Sequence, residues 1–189
     1  MTAVGDERPA ARAWFHDQPA SILAGLATVL FWVALALFAE LLAPFKANLK
    51  QELVTAMQQG PVEAIAACNT AAPAIAESLS VDGVRMGRSS HRLRNPENTA
   101  PEWLAAPMNR FADLGIHSDS EGKVLFLVTE LEDGRTGYAE PIYIQPLCLT
   151  CHGETLTPEL EARISELYPN DQATGFRTGD FRGMFWVEF

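Results

Sequence analysis

Residues 123–153 read KVLFLVTELEDGRTGYAEPIYIQPLCLTCHG. The opening run, KVLFLVTEL, is rich in β-branched and aromatic residues and reads as a strand. Asp133-Gly134 is a hairpin signal, since glycine accepts the positive φ that a tight turn requires. A return strand is expected over roughly 137–144. The chain then runs straight into Cys148-Leu149-Thr150-Cys151-His152. A hairpin that delivers two thiols and an imidazole to its own end indicates a small antiparallel sheet built beside a site.

The flanks extend this pattern. Downstream, Thr157-Pro158-Glu159 reads as a helix cap, a first-turn proline and a first-turn acid, with the helix expected to reach about Tyr168. Residues 175–180 read as a turn and 183–189 as a closing strand. Upstream, residues 101–114 read as a short helix and residues 81–100 as irregular backbone, given their Gly, Ser, Asn and Pro content. VEAIAACNTAAPAIAESLS, residues 62–80, is a helix of small residues that allows close approach by a flat, bulky neighbour. Pro73 removes a donor to Asn69, so a kink is expected just after Cys68. Gly60-Pro61 separates this helix from the one before it, where Leu49, Leu53 and Met57 form an apolar stripe. The fold class expected is α+β, with helices early and a small antiparallel sheet late.

Composition narrows the function classes. The chain has 189 residues, 48% hydrophobic and 20% charged, with a net charge of −10. That composition supports a packed core rather than disorder. An acidic chain lacks the basic surface that phosphate contacts need, which argues against nucleic acid as a partner.

Residues 19–39, PASILAGLATVLFWVALALFA, contain no charged side chain. As a helix this segment would be roughly 30 Å long, the thickness of a bilayer's hydrocarbon core. Trp14 and Phe15 precede it, and Phe45, Lys46 and Lys50 follow, as interface residues do. A cleaved signal peptide is the competing reading, but its apolar region is shorter, about 7–15 residues. The expected organisation is a short cytoplasmic tail over 1–18, a transmembrane anchor over 19–39, a stalk helix over 40–60 and a site-bearing domain over 61–189. Lysine and arginine are balanced across the anchor, so charge alone does not orient it.

Cys-x-x-Cys-His is the attachment motif of a c-type haem. Two thiols must reach two vinyl groups of one porphyrin, and the adjacent imidazole is then held at the iron. A redox Cys-x-x-Cys leaves the histidine unexplained and belongs at a helix start in a βαβ unit that is not visible here. A zinc site from Cys68, Cys148, Cys151 and His152 is awkward, because adjacent ligands strain tetrahedral geometry. The expectation is therefore one covalent haem c, with Cys148 and Cys151 as thioethers and His152 as proximal iron ligand. Haem c is attached on the outer side of the bacterial cytoplasmic membrane. A single-pass inner-membrane protein with its haem domain in the periplasm follows from that.

Cys68 is the third of three cysteines. It is either a small buried residue of an alanine-rich helix or the distal iron ligand. Met86, Met108, Met184, His91 and His117 are the other residues able to fill that position. Arg85, Arg88, Arg92 and Arg94 crowd one segment of an acidic chain. They read as a solvated loop, as partners for haem propionates, or as a docking patch for an acidic protein.

Several segments in order carry a resemblance over roughly residues 45–189: AIAACNTAAPAIA, VRMGRSSHRLRNPEN, EPIYIQPLCLTCHG and YPNDQATGFRTGDFRG. Together they resemble a family of membrane-anchored or sensor-attached c-type haem domains with a PAS-like fold. The resemblance implies Cys68 as distal ligand opposite His152, and it favours Arg94 for a propionate contact. Met86-Gly87 departs from the family's pattern, which has a more polar residue there.

A thiolate opposite histidine favours ferric iron and gives a low potential. With both axial positions filled, electron transfer with a redox partner protein is expected rather than catalysis. A redox or small-ligand sensor acting through a separate partner, or an accessory haem subunit of a respiratory or photosynthetic membrane complex, is the alternative. No kinase or cyclase sequence follows Phe189, so a sensor would need such a partner.

Overall fold

The computed structural model describes residues 18–115 and 126–189, with side chains from residue 36 onward, Ala67 excepted. Two compact units are present, Met1–Ala39 and Glu40–Phe189. Within the first, the backbone is helical from Gln18, where α1 (Gln18–Gln59) begins. Among the described residues no helix is long and apolar enough to cross a membrane. Most of the anchor expected over 19–39, and the tail over 1–18, lie outside the described side chains.

The second unit holds α2 (Pro61–Leu79), β1 (Arg85–Ser89), α3 (Glu102–Asp113), β2 (Leu127–Glu130), β3 (Thr136–Tyr143), α4 (Leu149–His152), α5 (Pro158–Leu167) and β4 (Phe181–Glu188). The strands form one antiparallel sheet in the order β1-β4-β3-β2. The fold is α+β: a small four-stranded sheet with flanking helices.

Local chemistry explains most boundaries. Gly60, at φ 136°, breaks α1 from α2, and Pro61 opens the new helix. Thr157 caps α5 by accepting from the Leu160 amide. Gly134, at φ 81°, turns the β2–β3 hairpin. Pro73 lies inside α2, which runs through it as one assigned helix.

Residues 40–59, read from sequence as a stalk, pack on this sheet. Leu42 and Phe45 are fully buried, and the Phe45 ring meets Phe185 edge-on at 5.7 Å between centroids. The Lys46 ammonium pairs with Glu140, whose other oxygen accepts from the Tyr138 hydroxyl at 2.7 Å. Phe45, expected to flank a membrane, is thus a core contact of the domain, and the half-buried Lys46 is tied to the sheet by its ion pair. A second layer of core lies under α3, where Leu104 and Met108 pack on Ala139, Phe181, Met184 and Trp186.

β1 corrects the expectation of irregular backbone over 81–100. Arg-Met-Gly-Arg-Ser has no β-branched residue, so its extended form comes from tertiary pairing with β4, Arg85 opposite Glu188 through Ser89 opposite Met184. Gly87 has a packing reason: a Cβ there would lie 2.7 Å from the Trp186 ring. The sheet needs glycine at this point, which accounts for half of the unusual Met86-Gly87 pair.

Candidate functional site

One cleft gathers the chemistry. It is an open cleft with a largely apolar lining that carries a few polar and charged groups. α1 contributes Leu53 and Met57 to its wall, and α2 contributes Ala64, Ile65 and Cys68. Cys148, Cys151 and His152 line it from the other end of the sequence, together with Arg88, Arg94 and Arg182. The apolar stripe on α1 and the small-residue helix α2 therefore face the same space as the motif.

The motif is placed by its backbone. β3 ends at Tyr143, and Gln145-Pro146 turns the chain so that α4 starts at Leu149. The Gln145 amide donates to Cys148 Sγ at 3.4 Å. Gly153 closes α4 with its amide on the Leu149 carbonyl, and a Cβ there would lie 2.6 Å from that oxygen. Glycine after the histidine is thus a steric requirement.

His152 is held in one orientation. Its Nδ1 lies 2.6 Å from the Ala173 carbonyl oxygen. A carbonyl only accepts, so Nδ1 carries the proton and donates. Burial first, then the Arg182 and Arg94 charges, hold the imidazole pKa well below its usual value of 6.5. The ring is neutral, and its Nε2 keeps a bare lone pair. A ligating histidine is oriented in this way, its second nitrogen fixed on a backbone carbonyl.

The loop carrying Ala173 is fastened in turn. Arg94 grips Asp171 through Nε–Oδ1 at 3.2 Å and Nη2–Oδ2 at 3.0 Å, and its Nη2 also donates to the carbonyls of Cys151 (2.6 Å) and Ala173 (3.3 Å). Arg92 donates from Nε to the Gln172 carbonyl at 2.8 Å and from Nη2 to Thr174, with its guanidinium 4.2 Å from the Phe176 ring centre. Phe176 meets the His152 ring edge-on at 6.4 Å.

The third thiol shares this space. Burial raises the Cys151 thiol pKa; Arg94 opposes that, while Cys68 and Cys148 add to it. Tyr168 donates its hydroxyl to Asn69 Oδ1 at 2.9 Å, pinning the residue next to Cys68 against the end of α5. Ile65, Leu160 and Ile164 complete that contact. Of the other residues able to ligate from the distal side, Met108 and Met184 are core, Met86 lines a separate cavity beside Trp186, and His91 stacks on Phe181 at 5.5 Å. None of these four lines the cleft, whereas Met57, not named for this role from sequence, does. His117 lies outside the described residues. No group of three or more His, Cys, Asp or Glu side chains converges as a bare metal ion would require, among the described residues.

Comparison with known proteins assigns the chain. A family model described as Tll0287-like matches residues 24–189. The chain belongs to the Tll0287-like family. A solved structure described as that of the cyanobacterial haem protein Tll0287 is similar to it at 26% identity and a TM-score of 0.46. The likeness covers 60% of this chain and 66% of that one, just under two thirds of the relative's length. No curated protein matches the chain. Every segment lining the cleft falls inside the part matched to the Tll0287-like family.

Arg182 is the residue that sequence reasoning missed. It belongs to the GDFRG segment already noted for resemblance, but only the β4–β1 pairing brings it beside Ser90 and into the cleft.

Proposed function

We propose that this chain is a c-type haem domain that carries electrons. Cys148 and Cys151 hold one haem by thioether bonds, His152 is its proximal iron ligand and Cys68 its distal one. The observation that carries this reading is the His152 ring, fixed through Nδ1 on the Ala173 carbonyl, in one cleft with all three thiols of the chain. A haem iron asks two ligands of the protein; His152 and Cys68 both line the cleft, and so does the Met57 thioether, over which the family resemblance favours Cys68.

When bound, the haem supplies a one-electron couple. The chain's own residues do the rest. Ala173 keeps the imidazole in one tautomer and orientation. Cys68 as thiolate adds negative charge at the iron and lowers the potential. His152 and Cys68 would both hold the iron, which would leave no position for a substrate and supports an electron carrier over a catalyst. We further read the sheet and its helices as a PAS-like domain, and residues 19–39 as a single membrane anchor. The haem domain would then face the periplasm and exchange electrons with a partner protein or membrane complex there.

The test is co-expression of the full chain with a haem c attachment system, followed by a denaturing gel stained for haem. The wild type should stain. Cys148→Ala and Cys151→Ala should each weaken the stain, and the double variant should abolish it. A wild-type protein free of haem would overturn the reading.

A further inference from the structure

The cleft holds more positive charge than the fold itself uses. Arg88, Arg94 and Arg182 line it; burial first, then the nearby Arg88, Arg94 and Arg92 charges, lower the Arg182 pKa to about 9. Asp171 is the one carboxylate acting on Arg182 from the other direction, and Arg94 already holds it with two prongs. The chain as a whole is acidic, at −10, so this cluster runs against the net charge.

The four arginines divide by what their nitrogens touch. Arg92 and Arg94 are fasteners: their donors go to carbonyls of Cys151 and of residues 172–174, and to Asp171. Arg94, favoured from sequence for a propionate contact, is therefore committed to the loop that orients His152. Arg182 gives Nη1 to Ser90 Oγ and to the Arg92 carbonyl at 3.1 Å, yet a guanidinium carries five N–H donors. Arg88 projects from β1 into the same cleft. Neither Arg88 nor Arg182 has an ion pair among the described residues.

A partly enclosed cation without a counter-charge is disfavoured. Anionic groups entering the cleft would remove that penalty, and carboxylates match the planar fork of arginine. We infer that Arg88 and Arg182 form a carboxylate-recognition subsite that takes the propionates of the cofactor. The inference rests on the haem reading above. It reassigns the anion contact from the loop fastener Arg94 to two arginines that have no ion pair among the described residues.

The test uses the haem-loaded full chain with Arg88→Gln, Arg182→Gln and Arg182→Lys. Haem should remain covalently attached in all three on a denaturing gel. The midpoint potential should fall in both glutamine variants, because a positive charge beside the haem favours electron uptake. The pH-dependent step in that potential should move upward as the propionates lose their partner, and Arg182→Lys should restore part of both effects. Should Arg182→Gln fail to fold, Arg88→Gln and Arg182→Lys carry the measurement. Haem-loaded glutamine variants with wild-type potential and pH profile would overturn the subsite and leave the haem reading standing. A wild type without haem would overturn both.

Discussion

Arg94 and Asp171 form a two-pronged ion pair across 77 positions of sequence, with nitrogen–oxygen distances of 3.2 and 3.0 Å. Their side chains are only 11% and 9% exposed. Asp171 also accepts from the Ala173 amide at 2.9 Å, so it shapes the turn that offers Ala173 to His152. Asp171→Asn keeps the size but leaves Arg94 enclosed without its counter-charge. Such a loss costs about 3–5 kcal/mol. Breaking the exposed Arg163–Glu166 pair should cost about 0.5 kcal/mol or less. Denaturant unfolding of Asp171→Asn and Arg163→Gln measures both, and equal effects would contradict the structural role of the buried pair.

Gly183 follows Arg182 at the junction of β4 with β1. Its φ is +155°, and a Cβ would lie 2.1 Å from the Ser89 carbonyl oxygen. Backbone cannot yield as a flexible side chain can, so Gly183→Ala should cost about 3 kcal/mol or more. Gly134 has a positive φ but open space around it. Gly134→Ala should cost about 1–2 kcal/mol, the conformational penalty alone. Thermal unfolding should rank Gly183→Ala well below Gly134→Ala; the reverse order would be wrong for this packing.

The parts legible in the sequence were those written in local chemistry. The hairpin at Asp133-Gly134, the α5 cap at Thr157, the break at Gly60-Pro61 and the motif at 148–152 all depend on residues adjacent in the chain. β1 was not legible, because Arg85–Ser89 is extended only through pairing with β4. The burial of Phe45 and the pairing of Lys46 with Glu140 were not legible either, since aromatic and basic residues after an apolar run also fit a membrane edge. The orienting partner of His152 is a backbone carbonyl, and any residue at 173 supplies one. Arg182 could be assigned a place only once the sheet order was known. That Cys68 and Met57 line the cleft while Met86, Met108, Met184 and His91 do not likewise depends on tertiary packing.

His91 gives a pH signature. Its Nδ1 is buried without a hydrogen-bond partner, and its ring stacks on Phe181. Burial, then Arg182 and Arg92, lower its pKa below 6.5, while Asp113 opposes them. The unfolded chain therefore takes up this proton first as pH falls. The contribution to stability is complete above pH 6.5 and declines below it, at no more than about 1.4 kcal/mol per pH unit. His91→Phe should fold at neutral pH and show a shallower acid decline, read by unfolding at a series of pH values. Parallel acid declines in the two proteins would remove His91 as a source.

Tyr168 holds the neighbour of Cys68. Tyr168→Phe deletes the 2.9 Å hydrogen bond to Asn69 and should cost about 1 kcal/mol. Haem should stay covalently attached, while added imidazole should displace the distal ligand faster than in the wild type. Stopped-flow absorbance reads that rate. An unchanged rate would mean that this contact does not position Cys68.

The most direct measurement is the optical and EPR spectrum of the ferric, haem-loaded full chain beside its Cys68→Ser variant. Ligation by Cys68 and His152 predicts a low-spin thiolate–imidazole signal in the wild type. In the variant that signal should vanish and the potential should rise, with the haem still attached. A methionine–imidazole or high-spin wild-type spectrum, or a variant spectrum identical to wild type, would contradict that ligation.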